Sequence, residues 1–179
     1  MKILKAILLL IVGVIVLALV AALFIKKDYA VEREITISKP KQEVFDYIKY
    51  LKNQDQYSVW NKLDPAMKKT YTGTDGTVGF NYAWDSEKKE AGKGDQTISN
   101  IKEGERIDMK LHFIEPFEAN DNAYMTTETA GDGQTKVKWG FNGRMNYPMN
   151  LMLVMMNMDE MLGKDLQDGL TNLKSILEK

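Results

Sequence analysis

The 179-residue sequence predicts an α+β protein, a curved antiparallel sheet wrapped on a long C-terminal helix and preceded by one transmembrane helix. Three observations carry this expectation. An uncharged apolar run opens the chain, period-two alternation punctuated by turn residues fills its middle, and apolar residues at helical spacing close it.

From Ala6 to Ile25 the sequence AILLLIVGVIVLALVAALFI has no charged or strongly polar side chain. At about 1.5 Å per residue, roughly 20 such residues cross the ~30 Å hydrocarbon core of a bilayer as a helix. Lys2 and Lys5 flank the run on one side and Lys26 and Lys27 on the other, where ammonium groups can snorkel to phosphate. Residues 1–27 are therefore expected to be a membrane anchor and residues 28–179 a single water-soluble domain. A cleaved signal peptide is the alternative. The run exceeds the usual apolar core of about 7–15 residues in such peptides, although Val20-Ala21-Ala22 is a passable cleavage site. The lysines give opposed orientation signals, and the short N-terminal tail tips the expectation towards an extracytoplasmic domain.

Within the soluble part, Tyr29–Ile37 alternates as a strand, and Ser38-Lys39-Pro40 opens a helix, with Ser38 able to cap it and Val44, Phe45, Ile48 and Leu51 on one face. A short helix over Gln54–Val59 follows. Strands are then expected over Met67–Thr72, from Val78 through Phe80, Tyr82 and Trp84, over Gly92–Ile101, from Ile107 to Phe113, over Asn122–Thr129, and through Val137, Trp139 and Phe141. Gly73-Thr74-Asp75-Gly76, Glu103-Gly104-Glu105 and Gly131-Asp132-Gly133 turn the chain between them. Met149–Glu178 reads as one long helix, with Leu162, Leu166, Leu170, Leu173 and Leu177 at helical spacing. A hairpin-connected sheet with one apolar face needs cover, and this helix is the element large enough to supply it.

The element order resembles the helix-grip fold of the START/birch-pollen-allergen superfamily, in particular its bacterial polyketide cyclase/dehydrase-like branch (SRPBCC proteins). The resemblance rests on Glu32–Ile37 leading into Pro40 and Val44–Ile48, on Trp60–Pro65, on Thr72–Gly79, Gly92-Lys93-Gly94 and Ile101–Ile107, and on Trp139 with Gly169–Lys174. It covers roughly 150 residues as an ordered set, and no one piece is diagnostic. It implies a cavity between sheet and helix that accepts apolar ligands. It does not select among lipid carriers, cyclases and other activities that share the fold.

Several chemistries have no residues to perform them. The chain has no cysteine and one histidine, which removes thiolate nucleophiles, soft metal sites and His–His pairs. His112 shares a strand face with Asp108 and Lys110, away from the apolar row. No G-x-S-x-G elbow or P-loop occurs, and Gly92-Lys93-Gly94 reads as hairpin punctuation. Setting aside the four anchor lysines, 20 basic residues face 25 acidic ones in the soluble part, a net of −5, and no basic cluster interleaves with aromatics. A nucleic-acid surface is not expected. Asp159 and Glu160 lie in an otherwise apolar stretch of the long helix, where at most one turns towards the core, so they form no evident acid–base pair, and Arg144 follows the closing strand at the expected cavity mouth.

The unusual feature is methionine: Met145, Met149, Met152, Met155, Met156, Met158 and Met161 crowd the start of the expected long helix. Flexible, polarisable Met side chains suit surfaces that adapt to differently shaped apolar partners. The expected ligand lining is Trp60, Tyr71, Phe80, Tyr82, Trp84, Met109, Leu111, Trp139 and Phe141 on one wall, with Met152, Leu153 and Met156 on the other. The resulting expectation is a membrane-anchored protein that binds a hydrophobic small molecule or lipid, with the bilayer as partner and no cofactor. A cyclase- or dehydratase-like enzyme and an envelope interaction module are the alternatives.

Overall fold

A computed structural model describes residues 2–179. Helix α1 (Lys2–Ala22) is long and apolar enough to cross a membrane. Its 21 residues rise about 31 Å. It stands clear of the rest of the protein except at its last turn, where Ala22 is buried.

Strand β1 (Asp28–Ile37) follows after a five-residue connection and pairs antiparallel with the last strand, β7 (Gln134–Arg144), with Val31 opposite Phe141. Between them lie α2 (Lys41–Ile48), a 3₁₀ turn (Leu51–Asn53), α3 (Gln54–Tyr57) and a second 3₁₀ turn (Trp60–Lys62). Strands β2 (Lys68–Thr72), β3 (Asn81–Asp85), β4 (Lys93–Lys102), β5 (Arg106–Glu115) and β6 (Ala119–Gly131) then form a meander. The sheet has the order β1-β7-β6-β5-β4-β3-β2, antiparallel throughout. A register shift between Ile98 and Asn100 interrupts the β4–β5 ladder, the kind of bulge that bends a strand pair. The C-terminal segment is a 3₁₀ turn (Met149–Leu151), α4 (Met152–Met155) and α5 (Met158–Leu177). This seven-stranded curved sheet closed by a C-terminal helix is the helix-grip fold that the sequence predicted.

Three local expectations change. The helix expected over Met149–Glu178 is broken at Met156, whose backbone is extended, and restarts where the Asn157 side chain accepts the Glu160 N–H. Capping by the residue directly after the break satisfies a donor that the first turn would otherwise leave open. Most of the methionine cluster thus lies outside the long helix. Val78 is exposed and precedes β3, because Gly79 takes a positive φ of 90° before the strand begins. Ser38 does not cap α2; its N–H donates to Glu178 at the far end of α5, 2.5 Å away.

The core packs α2 (Val44, Phe45, Ile48), Leu51 and Tyr57 with α5 (Leu166, Leu170, Leu173) onto Ile98, Ile107, Met109, Met125, Val137 and Trp139 of the sheet. Helix α5 runs alongside β1, with Asp159 beside Arg33 at one end and Glu178 beside Ser38 at the other. The Arg33 guanidinium grips Asp159 with two bonds of 2.9 Å, a bidentate charge-assisted pair that holds the Asp159 carboxyl below its usual range. Two glycines let the helix come this close. A Cβ at Gly163 would collide with the Arg33 guanidinium, and one at Gly169 would sit 2.7 Å from Cζ3 of Trp139.

Gly169→Ala tests this packing cleanly. Helix propensity alone would stabilise the variant by about 1 kcal/mol. A methyl forced onto a buried indole opposes this, and we expect a net loss of about 1–2 kcal/mol in urea unfolding; a gain would show that the contact is not tight.

Candidate ligand-binding cavity

One helix cannot cover the whole concave face, and the uncovered part is a cavity of about 340 Å³. Its walls are aromatic and aliphatic: Tyr82 and Trp84 from β3, Met109, Leu111 and Phe113 from β5, Ala123 from β6, Trp139 and Phe141 from β7. Met158, Leu162 and Leu166 of α5 close it from above, and Trp60, Leu63 and Met67 from the side. These side chains reach the same space because inward positions on adjacent strands fall in register, as with Met109 opposite Ala123 and Ala123 opposite Phe141. The aromatic walls brace one another edge to face, with ring centroids 5.8 Å apart for Trp60–Trp139 and 5.9 Å for Trp84–Phe113.

Few polar groups enter, and Gln54, Gln96, Asn61 and Asp121 among them have partners. Gln96 donates to the Gln54 carbonyl oxygen at 2.7 Å, and Gln54 in turn donates to the Met109 sulfur. Asn61 donates to the Tyr82 hydroxyl oxygen at 3.1 Å and to Asp55 at 2.7 Å. Burial raises the Tyr82 phenol, with the Asp55 charge adding to it. At the opening, Asp121 accepts the backbone N–H of Arg144 at 3.0 Å, and burial raises its carboxyl above the ordinary value. Tyr29 lies beside it, raised by burial and by the Asp121 charge. Trp84 Nε1–H donates to the Ala91 carbonyl at 3.1 Å and folds the β3–β4 loop against the mouth, where Glu90, Glu115 and Pro116 complete the rim. Among the described residues, no cluster of three His, Asp or Glu side chains could hold a metal ion.

Of the lining residues the sequence suggested, Trp60, Tyr82, Trp84, Met109, Leu111, Trp139 and Phe141 face the cavity. Tyr71 and Phe80 do not; they stack behind Tyr82, at centroid distances of 5.3 Å for Tyr71–Tyr82 and 6.2 Å for Tyr71–Phe80, with the Lys52 ammonium over the Tyr71 ring. Met152, Leu153 and Met156 also stand outside the lining, because the break before α5 carries them past the mouth; Met158 and Leu162 occupy the place expected of them. Asp159 and Glu160 point away, one into the Arg33 pair and the other into the cap of α5. Arg144 pairs with Asp28 at 2.7 Å, outside the cavity. His112 sits on the outer face beside Asp95, 3.2 Å away.

The polar residues inside were not singled out from the sequence. Gln96 could have been: it shares strand parity with Ile98 and Gly94, so alternation alone turns it inward. Gln54 and Asn61, on short helical turns, carry no comparable signal.

Comparison with solved structures agrees with the fold. A protein from Nitrosospira multiformis superposes with a TM-score of 0.59 at 17% identity, over 82% of this chain and 94% of its own. Ara h 8.0201 gives 0.55 at 16%, over 84% and 97%. DynU16, from the dynemicin biosynthetic locus, gives 0.57 at 14%, over 84% of this chain but only 47% of its own. At such identities the likeness establishes the fold alone. No family model and no curated protein matches the sequence.

Asp121 yields a pH prediction. Because its folded value lies above its unfolded one, the folded chain keeps a proton that the unfolded chain has released between the two values, and stability falls as pH rises through that window. Asp121→Asn retains an oxygen for Arg144 and removes the charge. Its thermal midpoint should exceed that of the parent at pH 7, and the difference should vanish below about pH 3.9, where the unfolded carboxyl is itself protonated. A difference that persists at pH 3 would mean that burial of the charge is not its source.

Proposed function

We propose that this protein is a membrane-anchored member of the helix-grip (SRPBCC-like) superfamily that binds a hydrophobic small molecule or lipid between sheet and α5. The observation that carries the reading is the cavity: apolar and aromatic walls, a handful of satisfied polar groups, and a volume of about 340 Å³, within the range of small-molecule sites. Affinity would come from apolar area, at about 25 cal/mol per Å² removed from water. Gln54, Gln96 and Asn61 would orient the guest. The apolar α1, with lysines at both flanks, supports the anchoring half of the proposal.

A catalytic reading has one observation behind it, the convergence of Tyr29 and Asp121 at the mouth. Asp121 already serves the Arg144 backbone there, and binding is the function the walls favour.

Ala123 lies centrally among the lining residues, which makes Ala123→Trp a cavity-filling variant. Mass spectrometry of small molecules co-purifying with the detergent-extracted full chain should find an apolar compound enriched in the parent and reduced at least tenfold in the variant, with both proteins showing the same circular dichroism. Equal retention by the two would sink cavity binding, since α1 and its detergent shell are common to both.

A further inference from the structure

The cavity mouth and α1 occupy the same end of the molecule. Strand β1 starts there, directly after the connection from α1, and the Met145 N–H donates to Lys27 at 2.9 Å where β7 ends. The pairings Asp85–Lys93, Lys93–Glu115 and Phe113–Ala119 bring the β3–β4 and β5–β6 loops to this same end. Helix α5 runs with β1, so α4 and the 3₁₀ turn before it also fall here. The opposite end carries the Glu103-Gly104-Glu105 and Asp132-Gly133 turns.

A joint fixes α1 against this end. The buried Asn150 side chain donates to the carbonyls of Ala22 at 2.7 Å and Ile25 at 3.0 Å, taking up acceptors that the end of a helix leaves open. The residues following Asn150 are thus held beside the last turn of α1. They present Val154 and Met155 to the outside, 70% and 84% exposed, and across the mouth Phe117 on the β5–β6 loop is 65% exposed. Phe24, just past α1, is 85% exposed. Side chains of this kind gathered round one opening are what a soluble surface avoids.

We propose that the rim of the mouth is a second membrane contact: Phe117 on one side and Val154 and Met155 on the other enter the headgroup layer next to α1, and seat the opening on the bilayer. The occupant is lipid because Val154 and Met155 closely follow the residue that holds the end of a helix fit to span a bilayer, and Lys26 and Lys27, just after that helix, would meet lipid phosphate. A lipid then passes between bilayer and cavity without crossing water. The proposal rests on the anchoring and binding reading above, and its test separates the two.

The absence of native cysteine makes labelling straightforward. The full chain, reconstituted in phosphatidylcholine nanodiscs, would carry a nitroxide at Phe117→Cys, Met155→Cys or Asp132→Cys, the last on the distant β6–β7 turn. Labels at 117 and 155 should be several-fold more accessible to oxygen, and several-fold less to a water-soluble nickel chelate, than the label at 132. Three equally nickel-accessible labels would overturn the proposal, as would failure of the chain to enter nanodiscs. In a second arm, a short-chain fluorescent phosphatidylcholine is offered from the nanodisc or from cyclodextrin. The paired change Phe117→Asp and Met155→Asp should slow uptake from the nanodisc about tenfold and leave uptake from cyclodextrin unchanged. Unchanged uptake from the nanodisc would count against docking. If the parent takes up the probe from neither source, the cavity reading fails for this lipid class, and the label pattern still decides the contact.

Discussion

Seven strands spaced about 4.8 Å apart make a sheet nearly 29 Å across, whereas a helix with its side chains is about 10 Å wide. A single long helix therefore covers only part of such a face, and where it lies decides what happens to the rest. Here α5 is pressed towards β1 and β7 by the Arg33–Asp159 pair and by the close approaches at Gly163 and Gly169. Helices α2 and α3 fill one flank with Val44, Phe45, Ile48 and Tyr57. What neither reaches is the space beneath Trp84, Leu111 and Phe113, and that space is the cavity. It follows from the geometry of the covering elements as much as from the residues lining it.

The molecule is accordingly asymmetric along the strands. At one end Ile37, Val44, Ile107 and Leu173 are fully packed, and the β4–β5 and β6–β7 turns are short and polar. At the other the cavity opens, and Phe117, Val154 and Met155 lie exposed beside it. Polar groups within the cavity are few, and the Gln96–Gln54 and Asn61–Tyr82 bonds pair four of them, which avoids the cost of about 1–3 kcal/mol attached to each buried group left without a partner.

The strands were legible because their signal is local. Alternation such as Ile107, Met109, Leu111 and Phe113 against Asp108, Lys110 and His112 needs only period two, and glycine-containing turns mark the breaks. The sheet wall of the cavity followed from the same parity. Its helical wall did not, because hydrophobic periodicity cannot see an interruption that leaves the composition apolar. Met149 to Leu162 reads as helix whether or not Met156 is extended. The signal that separates the two was the Asn157-x-x-Glu160 spacing, a capping pattern in which the Asn157 side chain accepts the Glu160 N–H and donates to the Glu160 carboxylate. Tyr71 misled for another reason: it has the correct parity for the inner face, but sits on edge strand β2, where Asp55, Lys52 and Tyr82 engage it. Parity states which face a residue joins, and says nothing of how far along that face the cover extends.

The Asn150 joint has a mechanical side. With two bonds from one buried amide to the end of α1, the helix and the domain lack the slack linker that usually separates anchor from cargo. In the bilayer setting proposed above, such a joint makes the pair a lever. A helix of fixed apolar length leans further in a thin bilayer and stands straighter in a thick one. The domain must lean with it, lifting or lowering its opening relative to the headgroups. Membrane thickness would then act on ligand exchange as a force acts on a crank, with no moving part inside the domain itself.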